Sequence, residues 1–316
     1  MSLNSKKRLL AAKVEASYGV AETLTGAECV LTKGLDISPF EGEALDRDLD
    51  RPQFGASDRI HVGTYVAVTF MVELQGSGAL GTAPAFGDLL QGCHMLETVT
   101  ASTSVEYTPD SDDTTSVTLR FNLDGIDHLI VGAMGSFKIK IDANQIPYLE
   151  FRFVGIYADP TATAALSPTG WTSFIKPEPI SFAGTTAFQF YGVTSGWQLR
   201  NFELDQGNQV EYFEGPGEQL VDITDRDSKG SLSTLLRAVG TFNPFTQARN
   251  NATGALLITH GTVAANRWHL SAPAAQILTP KYGDDRNRAL MQVDLGFIPT
   301  ATGDDDFKLR FASAAA

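Results

Sequence analysis

Histidines, cysteines and clustered carboxylates are where this chain would keep acid–base, nucleophilic or metal chemistry. His61, His94, His128, His260 and His269 are scattered, and none has a partner at i+4 or a second ligand type at a metal-closing distance. Cys93 adjoins His94, but neighbours on a helix point to different faces. Cys29 and Cys93 form no CxxC pair, so neither a disulfide framework nor a four-ligand zinc site is encoded, and both read as reduced structural thiols. Carboxylates cluster three times. Asp46, Asp48 and Asp50 alternate with competing Arg47 and Arg51, without the glycine and late glutamate of a calcium-binding loop. In DRDSKG (225–230) Lys229 stands where an oxygen ligand belongs, and PDSDDTT (109–115) has turn composition. Solvated or salt-bridging loops are the expectation. The chain has no GxSxG and no GxxxxGK[ST], and GSGALG (76–81) follows a strand without a βαβ context. No catalytic residue, cofactor or metal is expected, and the chain reads as a non-enzyme.

The elements around these residues are strands. Candidates are Leu31 to Ile37, Val62 to Gln75, Ser116 to Leu123, Gly135 to Asp142, Tyr148 to Gly155, Thr186 to Val193, Trp197 to Leu204, Gln219 to Thr224, Ala255 to Thr259, Asn266 to Ser271 and Leu290 to Phe297. Val66, Val68, Phe70, Val72 and Leu74 alternate with Ala67, Thr69, Met71, Glu73 and Gln75, the period of two for a strand with one packed face. Two segments show helical spacing instead: PAFGDLLQGC (84–93), through Phe86, Leu89, Leu90 and Cys93, and SLSTLLRAVG (231–240), through Leu232, Leu235, Leu236 and Val239. The expected fold is mainly β, with two tandem sandwich or barrel domains, each flanked by one short helix.

Length supports two domains, since 316 residues exceed the roughly 100–200 of one. LTKGLDI (31–37) matches QLRNFEL (198–204), and the two helical patterns follow in the same order. The offset between halves shrinks by about the length of 41–61, so the second half reads as a duplication with a shortened arm. The join falls in DPTATAALSPTG (159–170), giving domains 1–166 and 167–316; 307–311 is a last strand or part of a tail.

A net charge of −13 disfavours a protein that grips nucleic acid, because that grip rests on Lys and Arg displacing counterions. No apolar run approaches the roughly 20 residues of a membrane span, so no membrane is expected as a partner. The short apolar patch near the N-terminus falls below a signal-peptide core, and the chain is expected to stay where it is made. The arm EGEALDRDLDRPQFGASDRIH (41–61) packs six acids and three arginines into 21 residues before a long two-faced strand. That combination points to assembly rather than catalysis.

Taken together, LLAAKVEASYG near the start, the acidic-arginine arm, VGTYVAVTFMVELQGSG and GTAPAFGDLLQGC resemble the major tail tube proteins of long-tailed, noncontractile (siphovirus-type) bacteriophages. The resemblance implies a small β-sandwich or barrel whose sheet joins those of its neighbours into rings, stacked as a hollow tail tube. It places the protein in the virion tail, assembled in the host cytoplasm. It implies tail terminator, tape-measure and baseplate proteins as partners, and passage of double-stranded DNA without specific binding through an acidic channel. On that reading Glu43, Asp46, Arg47, Asp48, Asp50, Arg51 and Arg59 make contacts between rings, and Thr69, Glu73 and Gln75 face the lumen. A duplicated chain would close a ring with three copies in pseudo-six-fold symmetry, the rival being six. The alternative is a two-domain β binding module for a carbohydrate or receptor, with Trp171, Trp197 and Trp268 as stacking platforms.

Overall fold

The computed structural model describes residues 3–314. In chain order its strands are β1 (Arg8–Val14), β2 (Cys29–Val30), β3 (Lys33–Asp46), β4 (Arg59–Glu73), β5 (Met95–Thr100), β6 (Ser104–Pro109), β7 (Val117–Leu123), β8 (Ile126–Asp142), β9 (Tyr148–Ile156), β10 (Thr161–Ala162), β11 (Thr185–Phe190), β12 (Leu199–Asp205), β13 (Asn208–Gly215), β14 (Glu218–Arg226), β15 (Lys229–Leu235), β16 (Thr253–His260), β17 (Trp268–Asp285), β18 (Arg288–Phe297) and β19 (Lys308–Ala312). Helix α1 (Gly87–Gln91) lies between β4 and β5, and α2 (Pro244–Arg249) between β15 and β16.

Eight strands run side by side, all antiparallel, in the order β3-β4-β9-β8-β12-β15-β18-β17. Two long strands turn a corner out of this sheet. The first part of β8 pairs with β7, which pairs with β1, and a register shift between Val131 and Met134 marks the bend. The first part of β17 likewise pairs with β16, which pairs with β11. Bulges of this kind let one strand serve two layers. The C-terminal β19 pairs with both β17 and β6, so the last residues close on the first half.

Between the layers lies one apolar core drawn from both halves, from Leu10 to Phe311. The alternation in β4 puts Val66, Val68, Phe70, Val72 and Leu74 inward at 1 to 2% exposure. Phe70 stacks on Phe151 at 5.5 Å and on Phe153 at 6.1 Å. Each such ring contributes about 1.5–3 kcal/mol by leaving water. In α1, Leu89 and Leu90 are fully buried, as are Phe86 and Cys93 on either side. Glu15, just past β1, is buried and accepts hydrogen bonds from Ser116, Thr118, Gly19 and Gly132, which ties β1 to the β7–β8 layer.

The helix expected over 231–240 is instead strand β15 followed by coil. Leu232 and Thr234 point inward while Ser231 and Ser233 point out, and β12 and β18 satisfy the backbone on both sides. A period of two was present in SLST, and tertiary pairing overrode the helical spacing of the leucines. The helix of this half begins at Pro244, where the Asn243 side chain accepts from the Thr246 amide at 3.2 Å as an N-cap. Of the segment 307–311, residues 308–311 belong to a true strand, β19. The join at 159–170 packs against the first half, with Leu166 against Leu9, Ala11, Leu24 and Cys29.

Candidate assembly surfaces

The eight-stranded sheet ends in two unlike edges. β3 pairs with β4 alone, and the β17 segment from Leu278 to Asp285 pairs with β18 alone, among the described residues. Inside the chain, the edge of β8 is already taken by β12: Ile139 lies opposite Leu204 and Ile141 opposite Phe202, all four fully buried. On β17, Tyr282 lies opposite buried Met291 and so belongs to the apolar side, yet it is 63% exposed. Its ring meets Phe245 of α2 at 5.2 Å. Open edges with apolar side chains are templates for pairing with another chain.

Direct cross-strand pairs share a face, so the pairing registers trace the outer face of the sheet. One row runs Glu73, Tyr148, Lys140, Glu203, Ser231, Asp294 and Thr279. A second runs Lys33, Met71, Glu150, Lys138, Asp205 and Lys229. Acids and bases interleave: Lys138 meets Asp205 at 2.8 Å, Lys281 meets Asp294 at 3.4 Å, and Lys140 pairs with Glu150. Thr69 and Glu73 lie on this face. Gln75 does not stay on it: the strand ends at Glu73, and Gln75 is buried at 2% exposure, because alternation stops where the chain turns inward.

Much of the arm is strand rather than loop. β3 continues to Asp46 and β4 starts at Arg59, leaving 47–58 as the tip. Gly42 sits at φ +148°, where a Cβ would meet the Gly63 carbonyl oxygen at 2.9 Å, so the neck of the arm needs glycine. The arginines find partners within the arm: Arg47 to Asp58 at 2.8 Å, Arg51 to Asp58 at 3.5 Å and Arg59 to Asp46 at 3.9 Å. Glu43 lies opposite Val62 at the base, and Asp48 and Asp50 are exposed at the tip. Apolar side chains stand exposed alongside, Leu45 opposite Ile60, with Val62, Leu49 and Phe54.

A second hairpin, β13–β14, lies between β12 and β15. It leaves the sheet at Gly207 (φ +75°), where a Cβ would come within 2.1 Å of the Asp227 carbonyl oxygen. Gln206 and Asn208 anchor the turn by donating to the Cys93 carbonyl at 2.7 and 3.0 Å. The hairpin then lies across β8, β9 and β4, burying Val221 against Met134 and Val154 with Tyr65, Val210, Tyr212 and Ile223 around them. The Tyr18 hydroxyl accepts from the Val221 amide at 2.6 Å.

The residues screened for chemistry are dispersed. His269 is held between Thr259 and the Ala312 carbonyl, and His260 between Thr185 and the Glu178 carbonyl. Burial pushes His94, His128, His260 and His269 below the ordinary imidazole value. Both cysteines are buried and free, and burial raises both thiols, Cys93 furthest. No group of three His, Cys, Asp or Glu could hold a metal among the described residues. Trp268 is fully buried; Trp197 packs among Phe188, Phe190 and Phe242; Trp171, 39% exposed, donates to the Val30 carbonyl. Sequence reasoning expected the strand at 219–224, within β14, but missed the β17 edge and β13, the partner that makes β14 a hairpin. The only signal was compositional: Pro280 and Lys281 in a strand mark an edge, and GPG at 215–217 marks a hairpin turn.

A search of curated proteins finds no match. The sequence matches the family described as phage tail tube protein over residues 5–309, nearly the whole chain. A match of that extent means that this chain belongs to the phage tail tube protein family, a non-enzymatic structural subunit of the virion tail.

Proposed function

We propose that this subunit builds the tube of a long, noncontractile tail as rings of three chains, each chain supplying two quasi-equivalent units joined head to tail. The carrying observation is the repeated strand order. β3-β4-β9-β8 in the first half recurs as β12-β15-β18-β17 in the second, and β1-β7-β8 recurs as β11-β16-β17. Residues 1–166 and 167–316 are the two units.

The internal junction then serves as the template for the external one. Aligning Leu35 and Ile37 with Phe202 and Leu204 and following the registers makes Tyr282 the counterpart of Ile139. β3 of one copy therefore pairs with β17 of the next, with Ile37 opposite Tyr282. At that register Pro39 falls opposite Pro280, where the internal junction has the Gln206 amide donating to the Phe137 carbonyl, so the external junction lacks that backbone bond. This accounts for Tyr282 being exposed while Ile139 is buried. Three copies place twenty-four strands around the ring; at about 4.8 Å per strand and a tilt near 40° the barrel is about 50 Å across. The apolar face packs outward under α1 and α2, and the polar face, with Thr69 and Glu73, lines the lumen. Its paired charges offer DNA no continuous cationic track, which keeps the channel non-adhesive. The arm tips, with Asp48 and Asp50, reach the next ring, and terminator, tape-measure and baseplate proteins meet the tube ends. Mass per ring, or the symmetry of a reconstructed tube, tests the reading: three chains support it and six overturn it.

A further inference from the structure

We propose that the base of the arm is a clasp within the ring, gripping the neighbouring copy to which its own β3 is paired. The clasp rests on the head-to-tail reading above, and the register of the repeat locates it. The β13–β14 hairpin rises between β12 and β15 and leans back over the unit that β12 pairs with, covering Met134 and Val154. The arm rises between β3 and β4 at the equivalent place. By the same geometry it leans back over β17 and β18 of the copy whose β17 pairs with its β3.

Following the registers, Phe153 corresponds to Leu295, so Val154 corresponds to Gly296 and Ile156 to Ile298. At that place the second half has an apolar patch left partly exposed by the described residues. Leu278, pushed out by the register shift in β17, is 49% exposed and lies 3.8 Å from where a Gly296 Cβ would be; Ile298 is 37% exposed beside it. The first-half patch is buried and the second-half patch is partly exposed. The arm offers what the exposed patch lacks: Leu45, Ile60 and Val62 share one face near its base, and Leu45 and Ile60 are about half exposed. The arm arginines are paired with the arm's own aspartates, and Glu43, opposite Val62, is a carboxylate at the edge of that apolar face. The occupant of the patch is therefore a second copy of this chain in the same ring, with only the tip left to extend toward the next ring.

Disulfide trapping in assembled tubes tests this, since Cys29 and Cys93 are buried and do not interfere. Leu278→Cys is combined with Ile60→Cys and, separately, with Leu45→Cys, then oxidised and run without reductant. The expected product is cross-linked species that stop at three chains. A ladder running well past three, as in a contact between successive rings, overturns the clasp. A series stopping at six keeps the clasp but overturns the ring of three. As a control, Ile37→Cys with Tyr282→Cys probes the β3–β17 pairing. If that pair closes while neither arm pair does, the clasp is wrong and the head-to-tail ring stands.

Discussion

Replacing Tyr282 with aspartate separates folding from ring closure. In the free subunit this side chain is 63% exposed and its main partner is the Phe245 ring. Losing that contact costs about 1 kcal/mol, a small part of the roughly 5–15 kcal/mol that holds a domain folded, and lowers the melting temperature by a few degrees. At the proposed junction the position inherits the environment of Ile139, fully buried opposite Leu204. There the variant forfeits about 1.5–3 kcal/mol of apolar burial and adds the cost of an unpaired carboxylate leaving water, together about 5 kcal/mol per junction. At 1.4 kcal/mol per decade that weakens each contact by more than a thousandfold. Thermal unfolding of dilute subunit and negative-stain microscopy at assembly concentration read the two effects separately. The expected result is a folded subunit that makes no tubes, with Tyr282→Phe assembling normally. Full-length tubes from Tyr282→Asp at wild-type concentration would refute the β3–β17 junction.

Three further outcomes are expected. Reversing Asp48 and Asp50 to lysine should leave subunit stability within about 0.5 kcal/mol while rings fail to stack, visible as short discs in micrographs; normal tubes would remove the tip from the ring-to-ring contact. Glu73→Lys should assemble and slow DNA ejection by adding a cation to the lumen, and unchanged ejection would place Glu73 elsewhere. Burial lowers the imidazoles of His260 and His269 against the pull of the Glu178 and Ala312 carbonyls, so their contribution is complete above the unfolded value near pH 6.5 and is lost as pH falls through the folded value. Urea unfolding at pH 8 and 5.5 should show that loss, and His269→Gln should reduce it; an unchanged pH difference would show that His269 is not a source.

What the residues determined by themselves was local and periodic. The alternation in 66–74 dictated a two-faced strand, because a period of two has one geometric solution. The histidines and cysteines showed no ligand spacing along the sequence, where matching residue types would have to stand close together to signal a metal loop. PAFGDLLQGC named its own helix, with four apolar residues buried on one side. Ambiguity entered where two periods overlapped, as in SLSTLLRAVG, and there the hydrogen bonds offered by β12 and β18 decided for a strand. The arm showed its charge in sequence, but not that Asp58 and Asp46 neutralise its arginines internally. That depends on two strands meeting in register, a relation between distant residues. Which edge stays open is equally non-local: in the proposed repeat β8 and β17 are counterparts, yet β8 is covered because β12 follows it in the same chain, while β17 has only its far edge left to offer.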